Sequence, residues 1–322
     1  MLNAIKRVVK SVSTVHCPDG SPNVFLFSMP RSGSTWLMEL IWSQPHFRYC
    51  DEPLDLRVPL VKQHLGITEW EDLYSHDASL PLQDYFQALC DGRLRFMNFN
   101  PIRRYYRPVT HRIVFKIIHG GEDRINWFRD TFNGRIVYLL RHPIAVTLSR
   151  EVYPRLHAFL SSDYRRHFTR DQLEYAEKIL DTGTKLDRGV LSWCLQNAVP
   201  LRESADDWTI VSYEQMVLDP SPVVMHLAER LGLSKPERMM HRLAIPSAVK
   251  SKSSKETQHV LEGRARRRSW LVEKWRKQVD EKDERRVMGI LERFNIDVYT
   301  QGEVIPVDRL WIGPKRCQDI CE

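Results

Sequence analysis

The stretch Val24-Phe-Leu-Phe-Ser-Met-Pro-Arg-Ser-Gly-Ser-Thr-Trp-Leu-Met-Glu-Leu-Ile-Trp42 constrains the fold of this chain more than any other. Val24 to Phe27 is a short apolar run of β-formers that Pro30 stops. Trp36, Leu37, Leu40 and Ile41 then recur at helical spacing. Between the two, Ser32 and Ser34 stand where an N-cap would lie, and Gly33 lets the backbone turn sharply. A buried strand, a small-residue turn and a helix N-terminus make an anion cradle. Free backbone N–H groups point outward there, and the helix dipole adds partial positive charge. Arg31 and the hydroxyls of Ser32, Ser34 and Thr35 add donors, so the cradle suits a phosphate or a sulfate. It is not a Walker A loop: Gly33 is followed by Ser34 rather than Lys, and no glycine lies five residues before it.

The same alternation continues along the chain. Arg112 to Ile118, Arg135 to Leu140 and Trp208 to Ser212 read as further strands. Ile125 to Phe132, Ile144 to Val152, Leu173 to Ala205, Pro222 to Leu231 and Glu273 to Phe294 read as helices. Phe47 to Leu60 reads as loop because of Pro53 and Pro59, and Leu80 to Leu89 is the best-patterned piece of the stretch that follows. Strands alternating with helices predict an α/β fold, a parallel β-sheet flanked by helices. Ligands of such sheets bind beyond the carboxyl ends of the strands. Loops 28–35, 119–122, 141–143 and 212–214 all lie there and converge on one cleft. The expected organisation is an N-terminal extension over 1–22, one domain over 23–300 and a C-terminal tail over 301–322.

Hydrophobic residues make up 42% and charged residues 28%, which fits a globular chain with a sizeable core. No apolar run approaches the roughly 18 residues of a spanning helix. Met1 to Thr14 lacks the apolar core of a signal peptide. Its lysines and arginine among apolar residues are compatible with contact at a membrane surface, a solvated start of the domain being the plainer reading. The 6 cysteines show no C-x-x-C spacing, and no N-x-[ST] sequon occurs. These features lead us to expect a cytoplasmic protein. The net charge of +7 gathers at 103–107, 165–170 and 264–268. It fits a solvated basic face, nucleic-acid binding, or a cleft for a polyanionic donor.

A loop of the form P-[RK]-x-G-[ST]-[ST] after a strand resembles the 5′-phosphosulfate loop of sulfotransferases. These enzymes use 3′-phosphoadenosine 5′-phosphosulfate (PAPS). The exit of the third strand, Arg141-His-Pro-Ile-Ala-Val-Thr-Leu-Ser149, resembles their 3′-phosphate motif. There the planar fork of Arg141 and the hydroxyl of Ser149 would meet a phosphate. Val211-Ser-Tyr-Glu214 resembles the family's Tyr-Glu segment, which makes Tyr213 an adenine contact, and Trp36 matches the Trp that stacks on adenine. For both, an ordinary core aromatic is the alternative. Arg264-Ala-Arg-Arg-Arg268 resembles the basic loop that closes over the 3′-phosphate, with Arg264, Arg266, Arg267 and Arg268 as candidates. These matches cover residues 24 to about 275 and imply a P-loop-NTPase-like three-layer sandwich.

The resemblance also implies the chemistry, sulfuryl transfer from PAPS to an acceptor hydroxyl of a carbohydrate or small metabolite by in-line displacement. Arg31 takes the place of the loop cation and stays charged. Glu52, in Asp51-Glu-Pro-Leu54, resembles the Glu-Pro segment of the carbohydrate and protein-tyrosine branches, where a carboxylate takes the acceptor proton. His119 is the rival base, near where the cytosolic small-molecule branch places its His, though here it lies three residues after Lys116 rather than two. Burial is expected to raise Glu52 toward a useful pKa. Lys116 resembles a lysine pointed into the site, with a solvent-facing strand residue as the alternative. The family needs no metal, and no acidic cluster in the sequence calls for one. Residues 53–111 are expected to line the acceptor pocket, with Tyr85, Phe86, Phe96, Phe99, Tyr105 and Tyr106. A P-loop kinase or NTPase is the runner-up, but it lacks the loop lysine and an Asp for Mg²⁺. A nucleotide- or nucleic-acid-binding protein without catalysis is the third reading, and no nucleic-acid partner is expected on the first. Oligomeric state has no signature in the sequence.

Overall fold

The computed structural model describes residues 15–94, 107–245, 260 and 268–314. Five parallel strands form one sheet in the order β3–β5–β2–β6–β7. They are β2 (Asn23–Ser28), β3 (Phe47–Asp51), β5 (Arg112–Ile117), β6 (Gly134–Leu140) and β7 (Thr209–Ser212). A separate two-residue pair joins β1 (Val15–His16) to β4 (Val109–Thr110). The fold is therefore the expected α/β architecture.

β2 is the centre. It is paired on both edges and covered on both faces, and Val24, Phe25 and Leu26 are wholly buried. That explains its unbroken apolar run, since a strand of a doubly covered parallel sheet has no polar face to show. Phe25 stacks on Phe115 of β5 at 4.9 Å and meets Phe86 and Phe128 on the same side. This aromatic layer fills the gap between the sheet and the helices Ser79–Cys90 and Ile125–Thr131. Gly134 opens β6 without a side chain because a Cβ there would lie 2.4 Å from the Phe25 ring.

From β2 the chain crosses to β3 on one side, whereas from β6 it continues to β7 on the other. Neighbouring connections that leave in opposite directions open a crevice at the carboxyl ends of β2 and β6. The loop after β2 and the loop after β6 form its two walls.

Several local expectations need correction. Phe47–Asp51 is a strand rather than a loop. It is an edge strand with only β5 as neighbour, so Arg48 and Asp51 can interrupt its apolar pattern. The one or two helices expected over Leu173 to Ala205 are two, Arg170–Thr182 and Lys185–Glu203, opened by capping boxes at Thr169 and Thr184, so that reading stands. The single helix expected over 273–294 is a short helix Ser269–Glu273, a 3₁₀ turn Lys274–Lys277 and a helix Glu281–Arg293 capped by Asp280. Beyond residue 300, Gln215 holds Ile312 by two hydrogen bonds, and Val304 is buried. No helix among the described residues is long and apolar enough to cross a membrane.

Candidate active site

The turn after β2 differs in detail from a serine-capped helix. Gly33 itself is the N-cap of the helix Ser34–Trp42, in the left-handed conformation at φ 94°, and no side chain caps it. The first N–H groups of the helix are thus left without a side-chain acceptor, which keeps an anion site open. Arg31 also has a positive φ, 74°, and its side chain is exposed with no partner among the described residues. Ser32 and Ser34 are buried in the turn, and Thr35 is half-buried.

Gly33 serves a second purpose. A Cβ there would stand 2.7 Å from the ring of Tyr213, the first residue of the helix Tyr213–Leu218 after β7. Tyr213 therefore lies directly against the loop, and Trp36 meets it edge-on at 6.4 Å. Arg141, leaving β6, lays its guanidinium over the other part of this assembly, 4.1 Å from the Tyr213 ring centroid. Its Nη1 donates to the Arg31 carbonyl at 2.8 Å, which ties the loops after β2 and β6 together. Arg141 Nε and Trp36 Nε1 are buried without hydrogen-bond partners. Ser149 ends the helix Pro143–Leu148, and its hydroxyl donates to the Val146 carbonyl at 2.8 Å. Arg268 is exposed at the start of the helix Ser269–Glu273, whereas Arg264, Arg266 and Arg267 lie outside the described residues.

The other wall is built by register. Asp51 is paired with Lys116 across β3 and β5. Phe115 faces the aromatic layer, so strand alternation turns Lys116 to the opposite face, beneath the helix Ser34–Trp42. Lys116 is 2% exposed and does not face solvent. Its Nζ lies 2.5 Å from Asp51 Oδ1 and 2.9 Å from Glu52 Oε1, and donates to Thr35 Oγ1 at 2.9 Å. One ammonium thus joins the anion loop to the two carboxylates.

Glu52 and His119, the rival bases, are neighbours, with His119 Nε2 3.3 Å from Glu52 Oε2. Glu52 holds φ 55°, uncommon for a residue with a side chain, and its N–H bonds the Lys116 carbonyl at 2.9 Å. Burial pushes its carboxyl up, but the His119 hydrogen bond and the Lys116 charge outweigh it and hold the group down at about 2. The expected upward shift is not found. Burial pushes His119 below the ordinary histidine range and Asp51 above the ordinary carboxylate range.

Sequence reasoning missed the outer ring. Arg57 grips Asp55 with two hydrogen bonds and sets Nη2 3.0 Å from His119 Nε2. Behind His119, buried Arg155 binds Glu122 at 2.5 Å, the Tyr74 hydroxyl at 2.7 Å and the Ile118 carbonyl. Arg57 lies five residues past Glu52 in the same loop, which was a usable signal, but nothing near Arg155 in the chain marks it. Glu52, Asp55 and His119 bring ligand atoms within 4.8 Å of one another. Arg57 and Lys116 already supply positive charge to that trio. Of the aromatics expected in an acceptor pocket, Tyr85 and Phe86 belong to the core: Tyr85 donates to the Pro53 carbonyl, and Phe86 packs on Phe25 and Phe128. Phe96, Phe99, Tyr105 and Tyr106 lie outside the described residues.

An open anion loop, an arginine beside it and a lysine-bridged carboxylate form a site for moving a charged group. The model of the sulfotransferase domain family matches residues 21–294, and the chain belongs to that family. It is thus a transferase of sulfuryl groups. Among curated proteins none matches it by sequence. Similar solved structures include the sulfotransferase domain of the Synechococcus PCC 7002 olefin synthase, at 19% identity over 88% of this chain and 98% of that one, TM-score 0.44. A sulfotransferase domain from the curacin biosynthetic pathway is similar at 16% identity over 88% and 99%, TM-score 0.47. Mouse sulfotransferase SULT7A1, complexed with PAP, is similar at 13% identity over 90% and 88%, TM-score 0.41.

Proposed function

We propose that this chain transfers the sulfuryl group of PAPS to an acceptor hydroxyl of a carbohydrate or small metabolite, with Glu52 as the base. The observation that carries the reading is the position of Lys116, bonded at once to Thr35 of the loop and to Glu52. The residues fit such a donor. The uncapped N–H groups at Gly33 to Thr35, the exposed Arg31 and the hydroxyls of Ser32 and Ser34 would hold its 5′-phosphosulfate. Arg141, with its orphaned Nε, Ser149 and the arginines at 264–268 would hold the 3′-phosphate, and Trp36 and Tyr213 the adenine. PAPS supplies an activated sulfur with adenosine 3′,5′-bisphosphate (PAP) as leaving group.

In the transfer, Glu52 takes the proton of the acceptor hydroxyl while its oxygen bonds to sulfur. The bond from sulfur to the phosphate oxygen breaks, its electron pair leaves with PAP, and a sulfate monoester remains. Charge grows on the departing oxygen, where Arg31 and Lys116 supply fixed positive charge. Glu52 is ionised at neutral pH and so ready to accept a proton. On this reading the chain is of the Glu-Pro branch, and His119 is the hydrogen-bonded partner of the base. On this reading the catalytic domain spans 23–300 after an extension over 1–22, the tail 301–322 is held to it through Gln215 and Ile312, and the protein works in the cytoplasm.

An acceptor-library screen with PAPS in excess chelator, reading PAP release, tests this function. We expect turnover undiminished by the chelator. Loss of turnover restored by Mg²⁺ would point instead to a kinase-like use of Glu52, Asp55 and His119.

A further inference from the structure

Among the described residues, the carboxylates on the base's side of the cleft each meet a cation. Lys116 answers Asp51 and Glu52, Arg57 answers Asp55, and Arg155 answers Glu122. Arg150 has no carboxylate partner among the described residues. Its Nη1 is buried without a hydrogen bond, and its guanidinium lies over the Tyr153 ring at 4.8 Å. Tyr153 is fixed in turn, because its hydroxyl donates to the Thr147 carbonyl and stands where a side chain on Gly189 would go. The arginine is thus held in place rather than left to wander in solvent.

A guanidinium N–H shut off from water without a partner is costly, and an anion that it can receive relieves it. Burial, reinforced by the charges of Arg155 and Arg57, holds Arg150 down at about 10. Those two arginines belong to the base's side of the cleft, next to His119 and Glu122. Arg150 and Arg155 share the stretch that follows the helix Pro143–Leu148, and Arg155 reaches the Ile118 carbonyl next to His119, so the unpaired charge of Arg150 is turned to the acceptor half although it follows Ser149 directly in the chain.

We infer that the acceptor carries its own anionic group, a carboxylate, phosphate or sulfate close to the hydroxyl, and that Arg150 receives it beside Arg57. This rests on the sulfotransferase reading and narrows its acceptor to anionic alcohols. The fork of Arg150 meets two oxygens of such a group, and the Tyr153 ring beneath it steadies the fork.

Matched probes test it: a hydroxy acid against its methyl ester, and a sugar phosphate against the free sugar. Affinities for the full-length chain are measured by calorimetry, with PAP titrated separately. We expect the anionic member of at least one pair to bind tenfold or more tightly than the neutral one. Arg150→Gln should erase that preference, Arg150→Lys should keep part of it, and PAP affinity should not change. Equal binding of the two members, no binding of the anionic members, or a preference that survives in Arg150→Gln would overturn the inference. Failure of PAP to bind would instead strike the nucleotide reading, and an Arg150-dependent preference for the anionic probe would still stand.

Discussion

At Lys116 one ammonium serves two carboxylates and a hydroxyl, and the consequences fall on Glu52. With Lys116 and His119 both on its carboxylate, Glu52 is ionised well below neutral pH, so it is always in the form that accepts a proton. The same stabilisation makes it a weak base until the acceptor displaces one of those contacts. Removing a positioned base typically costs ~10²–10⁴ in rate. Glu52→Gln should lower turnover by that factor and leave PAP affinity nearly unchanged, as steady-state rates and calorimetry would record. His119→Ala should cost less, because His119 touches the base rather than replacing it. The reverse order, in folded variants, would make His119 the base and move the chain to the small-molecule branch.

At the level of elements, the loop after β2 is set by one glycine with two obligations. Gly33 has φ 94° and leaves no room for a Cβ beside Tyr213. Gly33→Ala should therefore cost at least the roughly 1–2 kcal/mol of a left-handed non-glycine residue, and more if the ring must move. Denaturant unfolding reads that loss, and PAP affinity should fall with it, since the displaced Tyr213 ring carries Arg141. Four of the five strands of the main sheet were legible as apolar runs, because strands covered on both faces leave little else to read. The edge strand β3 was not, since Arg48 reaches the Leu89 carbonyl and Asp51 reaches Lys116, so both polar side chains are used inside the protein. The loops after β2 and β6 were legible because their residues come as short contiguous motifs. The opposite wall was legible only in part: Asp55 and Arg57 share the loop of Glu52, but Tyr74, Glu122 and Arg155 meet only through the fold.

Across the whole molecule, His142 connects the loop after β6 to the C-terminal part. It follows Arg141, stacks on Trp275 at 4.4 Å and meets Tyr299 edge-on, while its backbone N–H bonds Glu214. Tyr299 binds the same Glu214, so the C-terminal segment is fastened to the cleft. Burial, then the charges of Arg276 and Arg141, push His142 down to about 3 from the ordinary 6.5. A depressed histidine means that the unfolded chain takes up a proton that the folded chain refuses. Its contribution is intact above pH 6.5 and is lost as the pH falls toward 3, by up to about 1.4 kcal/mol per pH unit. Unfolding free energies followed across that window should show the slope, and His142→Gln, which cannot be protonated, should flatten it. An equal slope in both proteins would mean that the acid sensitivity lies in other groups.

The central claim is that the crevice between β2 and β6 recognises a nucleotide with a 3′-phosphate. Calorimetry of the chain with adenosine 3′,5′-bisphosphate and with AMP, repeated for Arg141→Ala, tests it most directly. The bisphosphate should bind the native chain far more tightly than AMP, and Arg141→Ala should remove roughly 1.5–3 kcal/mol of that advantage, the range for hydrogen bonds to a charged group. Equal affinities for the two nucleotides, or an advantage untouched by Arg141→Ala, would contradict it.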